Sequence, residues 1–273
     1  MDTTIADQVA NTTISIPNNA ATNAALIAST SIRRTAANIK TMFHFKQFSV
    51  ADEKCGMKVG TDGTIHGAWA PVPEGKARIL DIGTGSGLMA LMFAQRCPEA
   101  EITGVDIDAG AAEQAAENFA SSPWADRLHV LHKPVQQVEE GEYDLVASNP
   151  PYFVDSLKNP DAARLKARHT DTLSFSALVN HSARLAKVGG IVSYVLPIEA
   201  EQPVLHLAAD CGLTPIHITR VHTRNTKPAK RVMIAFRKAP TTEPCLIDTL
   251  CLMDQNGEPR SEQYKALCRD FYL

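Results

Sequence analysis

The chain has 273 residues, 44% hydrophobic and 21% charged, enough for one large α/β domain with extensions and apolar enough to bury a core without metals or disulfides. Its net charge of −3 argues against a surface coated in positive charge for non-specific nucleic-acid binding. No apolar run is long enough to cross a bilayer. The first residues lack the basic-then-apolar pattern of a secretory signal, so a cytoplasmic protein is expected.

Residues 1–40 are rich in Ala, Thr, Asn and Ser without a clear period. Such a stretch offers little apolar area to offset its ordering entropy, and a mobile tail is expected, followed by one domain over 41–273. From Arg78 onward short apolar runs alternate with amphipathic ones. Strands are expected at Arg78–Ile82, Ile102–Asp106, Leu128–His132, Tyr143–Ser148, Ile191–Leu196, Pro215–Val221 and Val232–Phe236. Helices are expected at Leu88–Gln95, Ala109–Ala120, Phe175–Ala186, Glu201–Ala209 and Ser261–Phe271. Strands joined by helices imply a parallel sheet covered on both faces. The last two strands lack an intervening helix and are expected to pair as an antiparallel hairpin. Six scattered cysteines (Cys55, Cys97, Cys211, Cys245, Cys251, Cys268) contain no Cys-x-x-Cys pair. They read as reduced thiols and not as a zinc site.

Asp81-Ile82-Gly83-Thr84-Gly85-Ser86-Gly87-Leu88 follows the first of these strands and leads into a helix. Glycines there let the backbone turn sharply and approach a bound nucleoside. Asp106 ends the next strand, where a carboxylate can accept both ribose hydroxyls. Pyrophosphate-binding loops want glycine at the position held by Leu88. Gly-x-Gly-x-Gly preceded by Asp81 instead suits S-adenosylmethionine, which carries no phosphate, with Asp81 toward its methionine end. The competing reading is turn glycines and a helix-capping aspartate.

Asn149-Pro150-Pro151-Tyr152 directly follows the fourth strand, at the carboxyl edge where open parallel sheets bind ligands. An exocyclic amine on adenine is a poor nucleophile because its lone pair is delocalised into the ring. Two acceptors, the Asn149 side-chain oxygen and the Pro150 carbonyl, can draw that nitrogen toward sp³ geometry. Prolines stiffen the turn and bring no competing N–H. Tyr152 offers an aromatic face for an extruded base.

With these motifs and the segments around them, the chain resembles the bacterial tRNA1(Val) (adenine-37-N6)-methyltransferases. The resemblance runs roughly from Phe43 to Leu273. It includes Phe45-Lys46-Gln47-Phe48, Met57-Lys58-Val59-Gly60-Thr61-Asp62-Gly63, Gly67-Ala68-Trp69-Ala70-Pro71, Ala167-Arg168-His169-Thr170 and Ser261-Glu262-Gln263-Tyr264. It implies an α/β, Rossmann-like class I methyltransferase: a seven-stranded, mostly parallel sheet with the last strand antiparallel and helices on both faces. It also implies transfer of a methyl group from S-adenosylmethionine to N6 of adenosine 37 in one valine tRNA. Neither a membrane nor an obligate protein partner is expected.

By this resemblance the cofactor is held by Gly60, Thr61, Asp62, Asp81, Gly83, Thr84, Gly85, Gly87, Asp106 and Asn149. Relatives often place an acid after the third strand to meet the cofactor adenine, and here that position is Pro134. Adenine recognition then falls to the Val135 N–H or the Gln136 side chain. Arg168 borders a Lys/Arg-bearing stretch, and with Lys230 and Arg231 it is a candidate RNA contact. The segment from Cys211 to Thr242 holds seven Lys/Arg (Arg220, Arg224, Lys227, Lys230, Arg231, Arg237, Lys238) and no acid, either a phosphate-contacting surface or a solvated basic loop and strand. Phe45, Phe48, Trp69 and Trp124 read as packing residues.

Other readings stay open. A release-factor glutamine methyltransferase uses the same four-residue motif, but usually with a helical substrate domain for which residues 1–40 are too short. A DNA or ribosomal RNA adenine methyltransferase often carries a recognition insertion that this chain lacks. A binding module without catalysis would not need Asn149–Tyr152 intact.

Overall fold

Alternate residues of the central strands point to opposite sides of a sheet, and here both sides are apolar. A computed structural model describes residues 42–139, 141–151, 173–254 and 259–272. A hairpin, β1 (Met42–His44) and β2 (Ser49–Ala51), precedes helix α1 (Thr61–Trp69). Then follow β3 (Arg78–Ile82), α2 (Leu88–Arg96), β4 (Glu101–Asp106), α3 (Ala109–Ala120), β5 (Leu128–His132) and β6 (Tyr143–Ser148). The chain continues through α4 (Phe175–Leu185), β7 (Ala186–Pro197), α5 (Glu201–Asp210), β8 (Thr214–His222), β9 (Arg231–Arg237), β10 (Leu246–Cys251) and α6 (Glu262–Leu267).

β3 to β10 form one sheet in the order β10-β8-β9-β7-β6-β3-β4-β5, and only β9 runs against its neighbours. The β8–β9 hairpin is as expected. The sheet, however, has eight strands and not seven, because β10 adds to the edge alongside β8. Its first four residues are exposed, so its apolar pattern is too weak to read as a strand. What secures it is tertiary: Asp248 accepts hydrogen bonds from His217 and Thr219 of β8.

On one face Ile79, Leu145, Val195 and Met233 pack with Ile65 of α1, the apolar run of α2 and Phe119 of α3. On the other, Leu80, Val146, Tyr194 and Ile234 pack with Leu178 and Val179 of α4 and Val204 of α5. Strands covered on both faces read as continuous apolar runs, which is why the central ones were legible.

Helix ends are closed by specific partners. Asp108 accepts the Ala111 N–H at 2.7 Å, and Ser261 accepts the Tyr264 N–H at 3.1 Å, as N-caps do. The Arg127 guanidinium donates to the Ala94, Cys97 and Ala100 carbonyls at and beyond the end of α2. Arg96 does the same at Gly67 and Ala70 for α1.

Helix α1 is not evident from periodicity, since it carries two glycines in nine residues. Close packing explains one of them: a Cβ at Gly67 would meet Met92 Sδ at 2.6 Å. The 1–40 tail lies outside the described residues.

Asn118 of α3 ties the N-terminal hairpin to the glycine loop. Its Nδ2 donates to the Ala51 and Ser86 carbonyls at 2.8 Å each, and its Oδ1 accepts the Ala51 N–H at 3.1 Å, all buried. Asn118→Ala is expected to lower stability by about 2–4 kcal/mol, because it strands buried polar groups. Urea denaturation checks this.

Candidate active site

β3 and β6 lie side by side and parallel, with Ile82 opposite Ser148. The glycine loop and the Asn149 turn therefore leave neighbouring strand ends at the same level. Ser148 Oγ donates to the Ile82 carbonyl at 2.8 Å and fastens the two ends together. Both loops open into one cleft of about 940 Å³. Gly60, Thr61, Asp62, Asp81, Gly83, Thr84, Gly85, Asp106, Val135, Gln136, Asn149, Pro150 and Pro151 all line it.

The glycine loop is shaped by left-handed backbone at Gly83 (φ 68°) and Gly85 (φ 56°), where a Cβ would be strained although nothing stands within 4 Å of it. Gly87 does not line the cleft. It begins α2 with φ 79°, and a Cβ there would meet Phe119 at 2.4 Å, so it serves close packing. Thr84 donates to Asp81 Oδ2 at 2.7 Å and holds the carboxylate in place.

Gly104, which sequence reasoning passed over, makes this possible. It sits opposite Asp81 on β4, and a Cβ there would meet Thr84 Oγ1 at 2.7 Å. A lone glycine inside a strand was its signal.

Asp81 is buried, and its Oδ1 has no hydrogen-bond partner among the described residues. Burial pushes its pKa up to about 7; the Thr84 hydroxyl and, more weakly, the Ala90 N–H oppose the rise, and nearby Asp106 adds to it. Asp106 accepts the Gly85 N–H on one oxygen and the Asp108 N–H on the other, both at 2.9 Å, at the end of β4. Val135 opens a 3₁₀ turn over 135–137. At that first position its N–H has no partner within the turn.

A second wall was only partly foreseen. Residues 52–60 form a loop cross-tied by Asp52, which accepts the Val59 N–H at 2.8 Å, and by Lys58, which donates to the Asp52 carbonyl at 2.7 Å. It brings Cys55, Met57 and Lys58 to the cleft. Gly63 of α1 comes close to Asn149, whose Nδ2 would stand 3.5 Å from a Cβ on that glycine. Asp62 accepts from Arg231 Nε at 2.8 Å, so one expected cofactor residue is paired with one expected RNA contact. Lys230 beside it is exposed. Tyr152, Arg168 and His169 lie outside the described residues. Phe45 and Phe48 are buried and stack at 4.7 Å.

The site suits S-adenosylmethionine on two observations. A buried carboxylate oxygen lacks a hydrogen-bond partner, of the kind an amino group supplies, among the described residues, and the glycine loop leaves open space beside backbone that glycine adopts without strain.

A family model for the methyltransferase small domain matches residues 71–173. Among solved structures, a predicted O-methyltransferase from Agrobacterium tumefaciens covers 76% of this chain and 95% of its own, with TM-score 0.60 at 17% identity. A putative transferase from Pyrococcus horikoshii gives TM-score 0.53 at 13% identity, covering 72% and 71%. The fold is that of a class I methyltransferase.

The curated relatives are closer. The tRNA1(Val) (adenine(37)-N6)-methyltransferase of Phocaeicola vulgatus is 46% identical over 85% of this chain and 97% of its own. That of Flavobacterium psychrophilum is 40% identical over 85% and 99%. The chain belongs to the tRNA1(Val) (adenine(37)-N6)-methyltransferase family.

Asp81→Asn is expected to remove cofactor binding while stabilising the free protein. The folded pKa of about 7 lies above the ordinary 3.8. Well below the ordinary 3.8, both states hold the proton and no penalty arises. Between these values the unfolded state releases the proton first, so stability falls as pH rises, and above 7 the penalty is complete. The variant's advantage should grow from pH 4 to 7 toward an upper bound of about 4 kcal/mol. Denaturation at pH 4 and pH 8 measures it, and an equal difference at both would contradict the assignment.

Proposed function

We propose that this protein transfers a methyl group from S-adenosylmethionine to N6 of adenosine 37 in tRNA1(Val). The observation that carries the reading is the convergence of the glycine loop and the Asn149-Pro150-Pro151 turn on one cleft, in a chain of this family. When bound, the cofactor supplies a sulfonium methyl, an activated electrophile that needs no protein nucleophile. Asp81 would meet its ammonium group, Asp106 its ribose hydroxyls and the Val135 N–H its adenine.

Asn149 and the Pro150 carbonyl accept the two amine hydrogens of the target base, so that its nitrogen lone pair points at the methyl group. Catalysis is then positioning plus support of the charge developing on nitrogen. The alkylated nitrogen sheds its proton to water. Tyr152 supplies the stacking face in this reading. Among the described residues no helix is long and apolar enough to cross a membrane.

The direct test is labelled-methyl transfer onto total small RNA lacking its own modification, followed by nucleoside analysis. N6-methyladenosine in one valine tRNA is expected; label appearing only in added release factor would reject the reading. Asn149→Ala should lower kcat by about 10²–10³-fold, the scale of one lost polar contact to a transition state, with cofactor affinity largely kept. Unchanged turnover would remove Asn149 from its role. Lys230, exposed beside the Asp62–Arg231 pair, is assigned to a tRNA phosphate. Lys230→Glu should weaken tRNA binding and reduce its salt slope by about 1, as read by binding titrations at several salt concentrations.

A further inference from the structure

A second pocket, of about 390 Å³, lies behind the wall formed by Val59, Gly60 and Thr61, which it shares with the large cleft. Its remaining lining comes from the two ends of the domain: Phe43, His44 and Phe45 of the N-terminal hairpin region, Thr64 of α1, and Arg260 and Tyr272 near the C-terminus. Its volume falls in the range of small-molecule sites, about 300–1,000 Å³. No acid lines it among the described residues, although the chain as a whole is net acidic.

The pocket is firmly built. Tyr272 stacks on buried Phe45 at 5.7 Å and accepts a hydrogen bond from Tyr264 Oη at 3.0 Å. The Arg260 guanidinium lies 4.4 Å from the Tyr272 ring centre. Lys46 holds the ends together, its N–H donating to the Phe271 carbonyl and its Nζ to that of Arg269. Two features run against what folding alone favours. Phe43 keeps 39% of its surface exposed on a three-residue strand. Arg260 has φ 74°, the one non-glycine residue in the left-handed region among those described. A non-glycine backbone held there costs energy, and such strain gathers at ligand sites.

An exposed aromatic ring, a cation on a rigid ring and no acid are the chemistry that recognises a nucleotide: a stacking face for the base and a charge for the phosphate. We propose that this pocket seats the nucleotide directly adjoining the target adenosine in the substrate RNA, with its base on Phe43 and its phosphate on Arg260. The proposal rests on the RNA-methylating reading above. It assigns the neighbouring residue a place just across the Val59–Thr61 wall when the target base turns out of its stack. In this arrangement the wall separates the two nucleotides and sets which base of the strand can reach Asn149.

The test is steady-state methyl transfer by the full chain on an unmodified tRNA1(Val) transcript, intact or with an abasic residue on either side of the target. Phe43→Ala is expected to raise KM for intact RNA about 5- to 150-fold, the scale of one base-stacking contact, with kcat and cofactor affinity unchanged. Phe43→Trp should restore KM. One of the abasic transcripts should raise KM for the wild type and show no further rise with Phe43→Ala. Arg260→Gly removes the charge and relieves the backbone, so KM should rise while the melting temperature holds or increases.

Unchanged KM in the Phe43 and Arg260 variants, with normal transfer by the wild type, would overturn this subsite alone. Equal losses on intact and abasic RNA would also overturn it, since the pocket would then hold something else, such as the chain's own residues. Absence of transfer to any RNA by the wild type would overturn the parent reading, and the subsite with it.

Discussion

The pairing of β3 with β6 is the constraint on which the site depends. These strands are not adjacent in sequence, yet they are hydrogen-bonded in parallel with Ile82 level with Ser148. The glycine loop and the Asn149 turn each begin one residue beyond that rung, and Asp81 lies one residue before it. A slip of one residue would turn Asp81 and Ser148 to the opposite faces of the sheet. The buried Ser148 hydroxyl bound to the Ile82 carbonyl fixes the level directly, and apolar packing on both faces penalises any other register.

The cleft is also an electrostatic compromise. Asp81 is kept where burial opposes its charge, with one oxygen held by Thr84 and the other unpartnered among the described residues. Such a group costs the free protein stability and suits a site that is completed by a cation or donor. At the mouth, Asp62 and Arg231 neutralise each other. Arg231 is thus tied to the wall of the cleft through Asp62, and Lys230 beside it is exposed. The loop at 52–60, which leads into Asp62, is held through bonds of Asp52 and Lys58 to its backbone, so its exposed residues stand on a fixed frame.

Much of this was legible in the residues because the signals were local and strong. Gly83 and Gly85 adopt the positive φ that a tight strand-to-helix turn demands. The central strands announced themselves as continuous apolar runs. What escaped were features whose cause lies elsewhere in the chain. Helix α1 contains glycines because a neighbouring helix leaves no room for a Cβ at Gly67. β10 is a strand because β8 offers it partners. Gly87 reads as part of the binding loop, yet its lack of a side chain answers to Phe119.

The sequence by itself determined the order of strands and helices from β3 to β9 and the turn chemistry after β3 and β6. It also determined the donor and acceptor groups available there, because backbone conformation and side-chain type act over a few residues. The tertiary structure alone decided that Asp81 is buried with an oxygen unpartnered among the described residues, that Asp62 pairs with Arg231, and that Phe43 lines one pocket with Arg260 and Tyr272, far away in sequence. Burial and long-range contact depend on what packs against a residue. That is settled only when the two ends of the chain and both faces of the sheet have closed around it.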